Sequence, residues 1–502
     1  MNKIEKKVKE LRDILDKLSN FNYTTSLIHW DLETGAPKEG IQKAATVLGF
    51  YSELTYNLLT DEKLIENIDF LGKNLEKLTE IDRKLVIETK KDIDRIKRIP
   101  VSEYKEYNEL LSKSQAIWGE SRAENNYNKF KPYLQKIVDY NKKYAEYKGY
   151  SDNPYNALID DFEPGMTVKQ LDIFFEGLRK ELVPFIEKIN KSRVNISNEL
   201  LKKSYSVEKQ KELSIFISKY LGFDFDRGIL KESLHPFTMG LNKYDVRITT
   251  HYHENFLQAA LFGTIHEAGH AIYEQNIGDD IWKTVLGTGN SMGIHESQSR
   301  FYENLITRTK EFWKPIYSKL VDYFPENLKD ISLEEFYNAI NRVENSLIRI
   351  EADELTYSLH IMIRYEIEKG LINGEISLDD LPSVWNKKME DYLGIVPETD
   401  SEGVLQDVHW AAGLFGYFPS YALGSANASQ IMNSLEKVLD VKKTLENQEL
   451  DKIKGFLEEK IHKYGRLKDP NEIMLIATGE EPNSKYYIDY LIKKYSKIYN
   501  IE

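Results

Sequence analysis

The pentapeptide His266-Glu267-Ala268-Gly269-His270 sits inside the run ALFGTIHEAGHAIY. On a helix, residues four apart share a face, so the imidazoles of His266 and His270 can grip one metal ion. Glu267 lies beside them. Its carboxylate can take a proton from a water held by that ion, the arrangement that makes a nucleophile near neutral pH. The flanking Leu261, Phe262, Ile265 and Ile272 make the run too apolar for a solvated helix, and buried histidines need polar partners or a metal.

Two imidazoles do not complete a catalytic site: a third protein ligand is needed, with a fourth position left to water. Glu274, Glu296 and Glu303 are the downstream candidates. Glu274 follows His270 by one helical turn and is placed to orient it. Glu296 comes after a glycine-punctuated stretch, GTGNSMGIHESQSR, that can lead into a second helix packed across the first. That return path fits a ligand. From spacing alone, an exposed Glu296 or a salt bridge to Arg300 is the alternative.

Residues 1 to about 230 are charged amphipathic patterns, such as EKLTEIDRKLVIETKKDIDRIKRI, separated by the turns GAPKEG, KGYSDNP and DDFEPGMT. They predict helices. From Leu234 the texture changes, and the alternation of Val246, Ile248 and Thr250 predicts a small β element near 244–251. Eight of the ten histidines fall between His235 and His409, which confines the chemistry to the central part of the chain. Past Ile431 helical patterns resume. With no Gly/Ser linker, the 502 residues are expected to form a mostly α single domain. Residues 1–230 would be a helical wall and lid, 231–430 the catalytic centre and 431–502 C-terminal helices.

The balance of 68 basic and 81 acidic residues gives a net charge of −13, which argues against nucleic acid or an anionic membrane as partner. Cysteine is absent, so disulfides, thiolate ligands and cysteine nucleophiles are excluded and any metal must be held by His, Asp or Glu. MNKIEKKVKELRDILDKLSN places Ile4, Val8, Leu11, Leu15 and Leu18 on one helical stripe and lacks the apolar core of a signal peptide. The apolar stretch Trp410–Gly424 is broken by Pro419 and glycines. A soluble cytoplasmic protein is the expectation.

Taken together, HEAGH, HESQSRFYEN from His295, IRIEADEL from Ile348, GVLQDVHW from Gly403, HPF at His235 and DVRITT at Asp245 resemble the thermostable carboxypeptidase Taq family of zinc metallocarboxypeptidases. The N-terminal HWDLETGAP is compatible, with Ala36 where the family usually has Met. The resemblance implies one zinc ion, replaceable by other divalent ions such as Co2+, held by His266, His270 and Glu296, with Glu267 as general base. It also implies a helical body with a deep groove, similar to neurolysin and angiotensin-converting enzyme, and a homodimer. The implied activity removes single C-terminal residues from peptides, broadly and poorly at proline. An oligopeptidase or dipeptidyl carboxypeptidase with the same site is the alternative. A non-catalytic helical scaffold with a structural metal is the alternative of another class; Glu267, unneeded for structure, speaks against it.

The tetrahedral intermediate of peptide hydrolysis needs hydrogen-bond donors besides the metal. In GVLQDVHWAAGLFGYFPSYALG, His409 and Tyr417 are the candidates, with Tyr421 in reserve. Recognition of a free carboxylate calls for a buried bidentate guanidinium. Arg349 of IRxxAD is the first choice, steadied by Asp353, and Arg247 the second. His235 and Asp245 resemble the family's motif residues without revealing a role, and are expected either behind the site residues or in the substrate groove. Gln298 is expected near the metal ligands, and Gln406 and Asp407 are expected to support the loop presenting His409. His29, His251, His253 and His462 are read as structural or exposed.

Overall fold

The computed structural model describes residues 2–501, and helices dominate them. The first helix, Lys3–Thr34, starts on a capping box between Asn2 and Glu5 and buries Leu11, Leu15 and Leu18 on one stripe. Helix Glu80–Arg98 begins at Thr79, which caps Asp82, and carries acidic residues in its first turn and Arg95, Lys97 and Arg98 in its last, matching the helix dipole. Its buried Leu85, Val86 and Ile93 fix which side faces inward.

Buried side chains gather in two cores. The first draws on 11–93, 201–340 and 428–477, the second on 127–196, 343–426 and 487–499. The chain passes between them repeatedly. Helix Pro419–Glu436 belongs to both, giving Ala422, Leu423 and Ala426 to the second core and Ala428, Ile431 and Leu435 to the first. Its small and apolar residues all round suit a helix enclosed on every side.

Among the described residues, three strands form one sheet in the order β1-β3-β2: β1 Gly228–Glu232, β2 Thr238–Asn242 and β3 Asp245–Thr250. β3 is central, parallel to β1 and antiparallel to β2, with an irregularity between Gly240 and Asn242. It is the strand expected from its alternation, and it buries Val246, Ile248, Thr249 and Thr250. The expectation stopped at one element because GILKE and TMGLN are short and largely unburied. Pairing with β3, not intrinsic propensity, makes them strands. No helix among the described residues is long and apolar enough to cross a membrane.

Glu163 and Glu368 are buried carboxyls without an ion-pair partner among the described residues. Glu163 accepts from the Gly293 N–H, and Glu368 accepts from Tyr155 Oη, from Trp410 Nε1 at 2.8 Å and from the Gly416 N–H at 2.8 Å. Burial outweighs these donors and pushes each carboxyl up to about 7 from 4.5. With the folded value above the unfolded one, each group's stabilising contribution is complete below about pH 4.5 and is lost as pH rises through about 7. Stability should therefore fall by about 1 kcal/mol per group between pH 6 and pH 8. Denaturant unfolding of Glu163→Gln at both pH values should show a shallower decline; an unchanged slope would remove Glu163 from this account.

Candidate metal centre

The motif helix Leu257–Gln275 presses Leu261, Ile265, Ala268 and Ile272 into the first core, leaving His266 and His270 partly exposed on its opposite face. The return helix Met292–Arg300 starts at Ser291, whose side chain caps the Ile294 N–H, and carries Glu296 inward. It runs directly into a π-helical turn, Phe301–Ile306, that contains Glu303. Such turns recur at functional sites because they re-aim side chains along an otherwise regular helix. Helix Pro419–Glu436 packs so tightly over the return helix that a Cβ on Gly424 would lie 2.5 and 2.6 Å from Glu296 Cγ and Cβ. Only glycine fits there.

The resulting geometry is that of a ligand cluster. Glu296 Oε2 stands 3.5 Å from His266 Nε2 and 3.4 Å from His270 Nε2, and the three ligand atoms lie within 4.8 Å of one another. A tetrahedral site with bonds of 2.0–2.1 Å has edges of about 3.3 Å. Each imidazole is tied at its other nitrogen, His266 Nδ1 to Glu303 Oε2 at 2.9 Å and His270 Nδ1 to His295 Nδ1 at 2.6 Å. Both Nε2 atoms are thereby turned toward Glu296. Arg300 fixes the carboxylates, with Nε 2.7 Å from Glu296 Oε1 and Nη1 3.2 Å from Glu303 Oε2. The arrangement fits a divalent cation.

Electrostatics agree with that fit. Burial alone would lower both imidazoles, but facing Glu296 and Glu303 pushes His266 up to about 10, whereas burial and the adjoining His295 push His270 down to about 3. Burial would raise Glu296 and Glu303, and Arg300 with His266 holds both below the usual carboxylate range. Three convergent ligands sharing one proton are a site in which a cation displaces that proton. Glu267, 7% exposed, is raised by burial, and its Oε2 accepts from Thr238 Oγ1 of β2 at 2.6 Å. A raised carboxyl is better matched to proton transfer near neutrality.

A groove of about 810 Å³ includes His266, Glu267, His270 and Glu296 in its lining, together with Thr238, Met239 and Gly240 of β2 and with Tyr417 and Tyr421. A second chamber of about 780 Å³ adjoins it through Arg95, Asp161 and Phe162 and is rich in tyrosine, including Tyr51, Tyr56, Tyr104 and Tyr140.

Residues 10–495 match the model of the carboxypeptidase Taq (M32) metallopeptidases. The chain belongs to that family. Carboxypeptidase 1 of Bacillus subtilis is 48% identical over 492 residues, 98% of each chain, and thermostable carboxypeptidase 1 of Pyrococcus furiosus is 37% identical over 94% of this chain and 95% of that one. The crystal structure of an M32 carboxypeptidase from Deinococcus radiodurans superposes with a TM-score of 0.95 at 31% identity, covering 99% of this chain and 100% of the other. The molecule is thus an M32 metallocarboxypeptidase, a hydrolase of peptide bonds.

Not every residue expected at the site of this M32 carboxypeptidase lies there. Tyr417 and Tyr421 line the groove, but His409 stands behind them, its Nε2 3.2 Å from Tyr421 Oη and its ring stacked on Phe418 at 4.4 Å. Arg349 is buried, with Nε and Nη2 donating to Asp407 Oδ1 at 3.0 and 2.8 Å and Nη1 to Tyr357 Oη at 3.0 Å. Its fork is therefore filled by protein and does not line the groove. Asp353 does not hold it. That carboxylate instead accepts from the N–H groups of Leu355 and Thr356, in the turn that precedes the helix Tyr357–Asn373, and from that of Glu344. The need of these turn and loop N–H groups for an acceptor outcompetes a contact suggested by proximity in sequence.

Arg247 is likewise turned away, bidentate on Asp245 at 2.8 Å and 5.6 Å from the Trp30 ring. His235 is exposed, while its neighbour Pro236 lines the groove. Gln298 meets His462 Nε2 at 2.9 Å and touches no ligand, because its place on the return helix points it into the core. Gln406 and Asp407 do anchor the segment before His409, bonding to Arg364 at 2.7 and 2.8 Å as well as to Arg349. Glu274 reaches His295 at 2.9 Å, not His270. Sequence reasoning missed Thr238, His295 and the orienting role open to Glu303. The one available signal was that Glu296, Arg300 and Glu303 share a helical face.

Proposed function

We propose that this enzyme is a zinc carboxypeptidase that releases single residues from peptide C-termini, and that His266, His270 and Glu296 hold the metal with Glu267 as the general base. The observation that carries this reading is the convergence of three ligand atoms beside a buried carboxylate. An N₂O donor set free of thiolates suits zinc and tolerates cobalt. Bound there, the ion supplies Lewis-acid polarisation of a water and of the scissile carbonyl. Glu267 accepts the proton of that water and returns it to the leaving amine. Tyr417 and Tyr421 donate to the developing oxyanion, with His409 steadying Tyr421 from behind.

β2 is an edge strand whose Thr238, Met239 and Gly240 line the groove, so an extended peptide can add to it through main-chain hydrogen bonds. Recognition through the backbone supports broad side-chain preference. It also supports slow release of proline, which lacks the N–H such pairing uses. Arg349, committed to Asp407 and 5.1 Å from the Tyr421 ring, acts in this reading by stiffening the tyrosine face of the groove. A chain without cysteine functions unchanged in a reducing compartment, which supports a cytoplasmic enzyme. The homodimer rests on family resemblance.

Chelation should abolish hydrolysis and zinc restore it. Mass spectrometry of a digested peptide should show a ladder of single-residue losses that stops when the C-terminus is amidated. Internal fragments or dipeptide steps would instead favour the oligopeptidase or dipeptidyl carboxypeptidase reading.

A further inference from the structure

His266 and His270 are held in different ways. His266 meets a carboxylate directly, through Glu303 at 2.9 Å, whereas His270 meets another imidazole. The tautomers along that second path follow from the geometry. His270 Nε2, serving as a metal ligand beside Glu296, carries no proton, so the proton of the ring lies on Nδ1, 2.6 Å from His295 Nδ1. That nitrogen of His295 must accept. Its own proton then lies on Nε2, 2.9 Å from Glu274 Oε1. The far end is anchored, since Glu274 Oε1 also accepts from the Gly289 N–H at 2.8 Å and from Thr288 Oγ1 at 3.1 Å. Gly289 is there because a Cβ would come within 2.2 Å of His295 Cδ2. Loop, carboxylate and imidazole form one fitted unit.

We propose that His295 is a positioning residue that connects Glu274 to His270, fixing the tautomer and ring orientation of His270 and thereby the affinity of the centre for its cation. The inference rests on the reading of His266, His270 and Glu296 as the metal ligands. Partners of metal-bound imidazoles are worth about 10–100-fold in affinity, and here that effect passes through an intervening ring.

The test is zinc affinity of the metal-free protein, measured by competition with a chromogenic chelator, with His266→Ala as the reference for a broken site. His295→Ala should weaken zinc binding about 10–100-fold. Glu274→Gln, which keeps shape and loses charge, should weaken it by a smaller factor of roughly threefold or more, and add less than about twofold once His295 is gone, because its route to His270 has been cut. His295→Gln, whose amide can accept from His270 and donate toward Glu274, should recover most of the affinity. A merely structural histidine would give losses that multiply, and that result overturns the proposal. So does His295→Ala binding within about twofold of the parent with an unchanged near-ultraviolet dichroism spectrum. If His295→Ala does not fold, Glu274→Gln and His295→Gln decide the matter, and parental affinity in Glu274→Gln sinks it. A parent protein that binds zinc no better than His266→Ala would instead overturn the metal reading beneath it.

Discussion

Glu267→Gln should lower kcat by about 10²–10⁴ while leaving the metal in place. Glutamine preserves the shape of the side chain and can still accept from Thr238 Oγ1, which lies 2.6 Å from Oε2 in the parent. The change is therefore confined to the ability to take up and return a proton. Because Glu267 is not one of the three convergent ligands, zinc content and affinity should match the parent. Steady-state kinetics on a free-acid peptide, paired with metal analysis of the same sample, separates the two effects. A variant within about tenfold of parental kcat would remove Glu267 from proton transfer. One that had lost its zinc would show that the residue shapes the site instead.

Gly424→Ala is expected to be nearly as damaging, although the residue carries no chemistry. The added methyl would lie 2.5 Å from Glu296 Cγ and 3.1 Å from its carbonyl carbon, in a contact between two buried helices that have no room to part. Glu296 must shift by about 1 Å, a displacement that costs on the order of 10²-fold when it falls on reacting or ligating atoms. Overpacking should also lower stability by about 1–3 kcal/mol. Zinc competition and denaturant unfolding measure the two losses. Gly455→Ala is the control, since nothing stands within 4 Å of its Cβ position on the exposed side of the helix Leu450–Lys460. That change should stabilise the protein by about 0.5–1 kcal/mol. Parental zinc affinity in Gly424→Ala would mean that Glu296 is not seated by this contact.

Several features of the site could be read before any coordinates, and they share a cause. His266, Glu267 and His270 lie on one helix, where spacing alone determines facing. Glu296 was reachable because the glycine-punctuated stretch before it had to turn the chain back toward that helix. The partners of these residues were less legible. Asp353 and Asp407 are both acidic and both belong to recognisable motifs, and proximity in sequence pointed to Asp353 for Arg349. The structure gives Asp353 to the turn before the helix Tyr357–Asn373 and brings Asp407 to Arg349 from across the fold. Glu274, one turn beyond His270, was the natural candidate to orient it, yet His295 enters between them.

What the sequence determined by itself is the chemistry available: two imidazoles and a base on one helix, no thiol, a carboxylate on a returning segment, and a helical body long enough to bury them. Tertiary structure alone decided which groups turn toward the groove. Arg349, Arg247 and His409 face away from it, while Thr238 and Tyr421 face in. The reason is physical. Periodicity reports the face of an element, but the facing partner is chosen by how separate elements pack, and here that depends on approaches as close as those at Gly424 and Gly289.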